Sequence, residues 1–128
     1  MSYYFNKIVD MEFDAAIDKI TQALKEEGFG VLTEIDVTGT LKKKIDVDFR
    51  RYRILGACNP SFAYKALLAE DKIGTMLPCN VIVQERDDGK VEVAAVDPVA
   101  SMQAIHNRNL EDIAATVQSR LKRIVEKV

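Results

Sequence analysis

Residues 80–96 read NVIVQERDDGKVEVAAV, and this stretch decides the fold. Two runs rich in β-branched residues, 80–86 and 90–96, flank the dipeptide Asp88-Gly89. Two short β-type runs separated by Asp-Gly are a strong signal for an antiparallel hairpin. The sequence therefore predicts two paired strands here, and Asp97-Pro98 is expected to end the second one.

Three further strands are predicted upstream of this hairpin. Residues 3–9 (YYFNKIV) are short, aromatic and β-branched, and residues 29–37 alternate between two faces with a period of two. Residues 51–58 (RYRILGAC) form the third. Between the first two strands, apolar residues recur at helical spacing from Phe13 to Leu24, and Gly28 is the expected stop of that helix.

The remaining segments are predicted to be helical, irregular or ambiguous. Thr38-Gly39 indicates a turn, and residues 40–47 fit either a strand or a short helix. Asn59 is a good N-cap and Pro60 suits the first position of a short amphipathic helix over 61–70. Residues 73–78 are expected to be a loop. The tail, 98–128, is predicted to be mostly helix with one apolar stripe.

Strands bunched between helices favour an α+β fold over repeated βαβ units. We expect one antiparallel sheet with helices on one face, in the order strand, helix, four strands, helix, with a short helix inserted between two strands. The chain has 128 residues, of which 48% are hydrophobic, so residues 1–128 are interpreted as a single domain.

Composition argues against several classes of partner. The net charge of −2 gives no bulk attraction to nucleic acid or to an anionic membrane, and no run of 18 apolar residues is present. The first residues lack the pattern of a secretory signal peptide. A cytoplasmic location is therefore expected, where cysteines are more often free thiols than structural bridges.

The two cysteines of the chain stand in near-mirror settings, Cys58 in CNP and Cys79 in PCN. If the strand that ends at Cys58 and the strand that starts at Asn80 are antiparallel neighbours, the two thiols meet at one edge of the sheet. A parallel pair would place them at opposite ends. We favour the antiparallel arrangement and expect the two Cα atoms within about 7 Å, the upper range for a bridgeable pair.

The chemistry of these thiols is left open by the residues themselves. Cys58 precedes a predicted helix N-terminus, where N–H groups and the helix dipole favour a thiolate. The alternative is that Cys58 and Cys79 are small buried core residues, as free cysteines often are. A CxxC motif is absent, and two thiols alone do not complete a tetrahedral zinc site.

Several stretches resemble a known family: GFGVLTEIDV, LKKK, RYRILGACNP, AYKAL, MLPCNVIV and VAAVDP occur in that order. They are similar to bacterial and archaeal proteins of domain-of-unknown-function family 302, over residues 5–103. The resemblance implies a TATA-binding-protein-like α+β fold, usually found as a homodimer, and no established biochemical role. The shared fold does not imply DNA binding.

Carried over by position, the resemblance marks a set of repeated residues: Glu34, Asp36, Lys44, Cys58, Asn59, Pro60, Pro78, Cys79, Asn80, Asp97 and Pro98. This chain departs from the family pattern at Ile45-Asp46, where leucine and glycine are common, so the local turn is expected to differ.

Two polar pairs are weaker candidates. Glu34 and Lys44 are interpreted as a cross-strand ion pair, with a catalytic acid–base pair as the alternative. Met102 and His106 have the spacing of a helical pair that could bind a soft metal. A surface histidine and a core methionine are the favoured interpretation.

The sequence favours a homodimeric module that binds a small ligand or a soft metal. The ligand-binding candidates are Cys58, Asn59, Cys79, Asn80, Glu34 and Lys44, and the two cysteines are the metal candidates. The alternative is a thiol redox protein or enzyme, with Cys58 as nucleophile and Cys79 as resolving thiol. A third hypothesis is a regulator that acts through its dimer surface. No cofactor is identified, and whether the protein is an enzyme is undetermined.

The homodimer is predicted from apolar surface. Residues 3–9 and the hairpin 80–96 each risk being an exposed sheet edge, which a twofold pairing would cover. The helix over 61–70 carries more apolar surface than its own subunit is expected to bury, at Phe62, Tyr64, Leu67 and Leu68. A monomer with edges protected by loops is the alternative.

Overall fold

A computed structural model describes residues 2–128. The five strands are β1 (Tyr4–Val9), β2 (Gly30–Asp36), β3 (Tyr52–Cys58), β4 (Cys79–Glu85) and β5 (Val91–Val96). The five α-helices are α1 (Phe13–Glu26), α2 (Val37–Ile45), α3 (Pro60–Ala69), α4 (Pro98–Ser101) and α5 (Arg108–Lys127), and a 3-10 helix spans Asp71–Met76. The α+β class and the predicted order of strand, helix, four strands and helix are confirmed.

The strands form one antiparallel sheet in the order β1-β5-β4-β3-β2. The predicted hairpin joins β4 to β5, with Val83 opposite Val93. The first strand does lie at an edge, as expected. The hairpin does not, because β5 pairs with β1 and β4 pairs with β3. The prediction that residues 80–96 risk forming an exposed edge is therefore wrong, and β2 forms the second edge.

The core lies between one face of the sheet and the two long helices. Inward residues of the sheet such as Val81, Val83 and Val93 are fully buried. They belong to the same cluster as Ile20 of α1 and Leu121 of α5. The apolar stripe predicted for the tail is the surface that α5 buries. Among residues 2–128 no helix packs on the other face of the sheet, where Ile8 is exposed.

The junction of α1 and α5 is held by an ionic cluster. Glu27 follows α1, and its carboxylate accepts hydrogen bonds from Arg123 at 3.0 Å and from Lys127 at 3.1 Å. These hydrogen bonds to Arg123, and then to Lys127, lower the pKa of Glu27 to about 2. Gly28 follows with a φ of 85°, a left-handed conformation that ends the helix as predicted.

Two local predictions need correction. The ambiguous stretch is helical and begins earlier than expected, because the Asp36 carboxylate caps α2 by accepting from the Gly39 N–H at 3.1 Å. The loop over 73–78 is mostly part of the 3-10 helix. The tail is mostly helix, as predicted, and it is divided into α4 and α5, with Asn107 capping α5 by accepting from the N–H groups of two following residues.

Candidate functional site

The segment between β3 and α3 folds as its residues predict. Strand β3 ends at Cys58, and the Asn59 side chain accepts a hydrogen bond from the Phe62 N–H at 3.2 Å. Pro60 occupies the first turn of α3, where its missing N–H costs nothing. A short cap therefore fixes the direction in which α3 leaves the sheet.

The return to the sheet brings the second cysteine beside the first segment. After α3 and the 3-10 helix, the chain re-enters the sheet at Cys79, which lies opposite Ala57 in antiparallel register. The end of β3 therefore lies next to the start of β4, and the predicted antiparallel arrangement is confirmed.

The two thiols nevertheless do not form a close pair. The register partner of Cys79 is Ala57, and Cys58 is paired with Gly30 of β2 instead. Cys58 and Cys79 are therefore one register position apart and do not lie directly opposite each other. Both cysteines are free. The predicted close pair of thiols is not formed because the register is offset by one residue, although both residues border the cavity described next.

A small cavity lies beneath α3. Its volume is about 40 Å³. It lies between the ends of β3 and β4 below, α3 above, and α4 and α5 at the side, and it is partly open to solvent. We call it the α3 cavity. Its lining is Phe29, Ala57, Cys58, Asn59, Phe62, Ala63, Ala66, Leu77, Cys79, Pro98, Met102, Leu110, Ile113, Ala114 and Val117. Apart from the two thiols, Asn59 is the only polar side chain among them.

Cys79 is a buried wall of this cavity. Burial raises the pKa of the Cys79 thiol to about 11, because a thiolate would lose its hydration there. At neutral pH the side chain is a protonated thiol that behaves as a small apolar group. Cys58 is half-buried and is therefore the more accessible of the two.

The remaining candidate residues lie elsewhere. Asn80 is exposed and lines a different depression, on the uncovered face of the sheet. Glu34 forms an ion pair with Arg53 of the neighbouring strand. Lys44 is exposed in the last turn of α2. The predicted pairing of Glu34 with Lys44 is wrong, because the segment that carries Lys44 is a helix and not a strand.

Met102 and His106, the possible soft-metal pair, also lie in different surroundings. Met102 lines the α3 cavity, whereas His106 is exposed and lies between α4 and α5, outside any helix. The surface interpretation of His106 is confirmed. Within residues 2–128, no group of three or more His, Cys, Asp or Glu side chains is placed to hold a metal ion. In the same range, no helix is long and apolar enough to cross a membrane.

The α5 side of the cavity could not be predicted as part of a site from the sequence. Leu110, Ala114 and Val117 belong to the apolar stripe predicted for the tail, and all three line the cavity. The signal in the sequence for a cavity at this place is the small side chain of Ala114, which lies between the larger Leu110 and Val117 on the apolar stripe.

Comparison with known proteins gives a consistent result. A family model described as domain of unknown function DUF302 matches residues 5–128. The crystal structure of an uncharacterized conserved protein DUF302 from Bacillus stearothermophilus is similar, with a TM-score of 0.92 and 28% sequence identity. The alignment covers 99% of this chain and 98% of that one. No protein of curated function matches the chain.

Proposed function

We propose that this chain, which belongs to the DUF302 family of domains of unknown function, binds a small apolar ligand in the α3 cavity. One observation carries this function: Cys58, Asn59 and Cys79 border a cavity whose lining is almost wholly apolar. Such a lining holds water poorly, because water needs two to four polar partners to occupy a buried space. A ligand without polar groups fills it with no loss of hydrogen bonds.

The size of the cavity sets how binding takes place. Its 40 Å³ is well below the roughly 150 Å³ of an engineered apolar cavity that binds benzene. A ligand of several carbon atoms therefore requires the lining to move. Helix α3 is suited to this, because Ala66 is its only buried residue. Met102 adds a flexible thioether side chain to the same wall.

Binding of a soft metal by the two cysteines and a thiol redox function receive less support. A soft metal held by Cys58 and Cys79 requires two thiolates close together, and the two residues are not register partners. The raised pKa of Cys79 also disfavours its use as a metal ligand or a resolving thiol. The organic ligand is therefore the version we retain.

A titration with benzene tests the function. Ring currents from bound benzene shift nearby methyl resonances, so we expect saturable changes at Leu110, Ala114 and Val117 in methyl NMR spectra. Ala114→Val adds two methyl groups to the cavity wall and is expected to weaken binding at least tenfold. Ala115→Val is the matched control, because Ala115 is exposed on the same helix and carries the same cost in helix propensity.

Two results would reject this function. One is the absence of saturable methyl shifts near the cavity in the wild-type protein. The other is equal benzene affinity of the Ala114→Val variant and the Ala115→Val control, provided that both retain the wild-type spectrum elsewhere.

We also propose a homodimer that forms through α3. Tyr64 and Leu68 are 64% and 70% exposed on this helix, which is more apolar surface than a solvated helix usually presents. Light scattering is expected to give about twice the single-chain mass of 14.4 kDa. Leu68→Lys is expected to give the single-chain mass, and Ile45→Lys, at an equally exposed position on α2, to leave the dimer intact. A monomeric wild-type protein would reject the dimer.

The cytoplasm is the proposed location, and residues 1–128 are proposed to act as one domain. Both cysteines are free, which suits a reducing compartment. All five strands belong to one sheet with a shared core, which supports a single cooperative unit.

A further inference from the structure

The uncovered face of the sheet carries an open depression of about 380 Å³, which we call the trough. Ala94 and Ile82 are register partners and form its floor. Tyr4 lies opposite Val96 at one side, and Tyr52 lies opposite Gln84 at the other. The trough is thus an apolar floor between tyrosine side chains.

One side chain gives the trough its charge. Of the residues that line it, Glu92 is the only acidic or basic one. Its carboxylate accepts a hydrogen bond from the Asn6 amide at 2.8 Å and another from the Gln84 amide at 2.9 Å. Neutral amides fix the position of a carboxylate without cancelling its charge. Across residues 2–128, Glu92 takes part in no ion pair.

One cation, Arg50, hydrogen-bonds to Gln84 but forms no ion pair with Glu92. The Arg50 Nε donates to the Gln84 side-chain oxygen at 2.8 Å, and its guanidinium carbon lies 4.4 Å from the centre of the Phe49 ring. Arg50 therefore orients the amide that faces Glu92 and leaves the carboxylate without a positive partner. Such an arrangement matches a cation that comes from outside the chain.

We propose that the trough binds a small organic cation, an ammonium group joined to an apolar body. The ammonium donates to the fixed carboxylate of Glu92 in a charge-assisted hydrogen bond. The apolar body lies on the floor made by Ala94 and Ile82, beside the tyrosines. Anions are repelled by the same carboxylate. The trough is on the opposite face of the sheet from the α3 cavity, so this inference does not depend on the proposed function.

Three probes of equal shape separate charge from apolar contact: 2-phenylethylamine, 2-phenylethanol and 3-phenylpropionate. In amide NMR titrations of the wild-type protein, the amine is expected to bind at least tenfold more tightly than the alcohol. Its shifts should centre on β4 and β5, and the carboxylate probe should not bind. Equal affinity for the amine and the alcohol would overturn the proposal.

Glu92→Gln keeps the size of the side chain and removes its charge, so it is expected to abolish the preference for the amine. Glu85→Gln is the matched control, because Glu85 lies on β4 at the helical face and pairs with Arg51 at 3.6 Å. That variant should retain the preference. A preference that survives in Glu92→Gln would overturn the proposal.

A second variant keeps the test valid if Glu92→Gln disturbs the fold. Ala94→Leu fills the floor and is expected to eliminate binding of both the amine and the alcohol. The oligomeric state of the Ala94→Leu variant tests the competing possibility that a second copy of the chain occupies the trough. If Ala94→Leu converts a wild-type dimer into a monomer, the trough is an interface between copies and the proposal is wrong.

Discussion

The reactivity of the two cysteines follows from their different burial. Cys79 is buried and its pKa is raised to about 11, from an ordinary value of 9.0. Cys58 is half-buried at the end of β3. In the native protein, iodoacetamide is therefore expected to modify Cys58 first and to leave Cys79 nearly untouched.

The size of this effect can be worked from the pKa. Only the thiolate reacts, and its population falls tenfold for each pH unit below the pKa. A rise from 9.0 to about 11 reduces the thiolate population about 100-fold at pH 8. Steric protection by α3 and β4 slows the reaction further, so at least 100-fold slower alkylation is expected for Cys79 in the native than in the unfolded chain.

The assay uses Cys58→Ser, which leaves Cys79 as the only thiol, and Cys79→Ser as its counterpart. Mass spectrometry follows iodoacetamide addition at pH 8 in native buffer and in guanidinium chloride, where the same residue serves as its own reference. The rate at Cys79 should rise about tenfold per pH unit up to pH 10. Native Cys79 that reacts within threefold of the unfolded rate would refute its assignment as a buried wall.

Two further predictions concern stability. Glu27→Gln is expected to cost at most about 1 kcal/mol at pH 7, because the cations that pair with Glu27 are half exposed. The depressed pKa means that this stabilisation is present above pH 4.5 and is lost as the pH falls to about 2, so the cost should vanish there in pH-dependent denaturation curves. Glu126→Gln is the control, because the exposed Glu126 forms no ion pair within residues 2–128. A pH-independent cost of Glu27→Gln would contradict the ionic origin. Gly56→Ala places a Cβ against the Thr33 hydroxyl oxygen and 2.7 Å from Cγ of Pro78, and it is expected to cost about 1–3 kcal/mol in urea denaturation. Gly74→Ala meets nothing within 4 Å and should stay within about 0.5 kcal/mol, so equal effects at both positions would contradict the packing argument.

Most of the fold could be predicted because its signals are local. The dipeptide Asp88-Gly89 fixes the hairpin, and the turn residues lie next to the strands that they join. Asn59 and Pro60 define the start of α3 through contacts within four residues. Patterns of this kind depend on backbone geometry and not on distant partners.

Helix α2 shows where local signals fall short. Residues 40–47 fit both periods, and Thr38-Gly39 indicates a turn that the structure replaces with the first turn of a helix. The decisive contact is the Asp36 carboxylate on the Gly39 N–H. Asp36 lies near the end of the strand predicted over 29–37. In the structure it is both the last residue of β2 and the N-cap of α2.

The site was harder to predict because it depends on register. Sequence places Cys58 and Cys79 at neighbouring strand ends, and that placement is confirmed. Whether the thiols meet depends on the register of the two strands, which is offset by one residue between Cys58 and Cys79. The cavity also takes its lining from three helices and two strands, and no single stretch of sequence records such an assembly.

A crystal structure under xenon pressure tests the ligand cavity most directly, because xenon occupies dry apolar cavities without needing a polar partner. We expect xenon density beneath α3, in contact with Cys79, Leu110 and Ala114, and reduced density there in an Ala114→Val crystal. An α3 cavity that stays empty while xenon occupies other parts of the molecule would contradict a function in binding small apolar ligands.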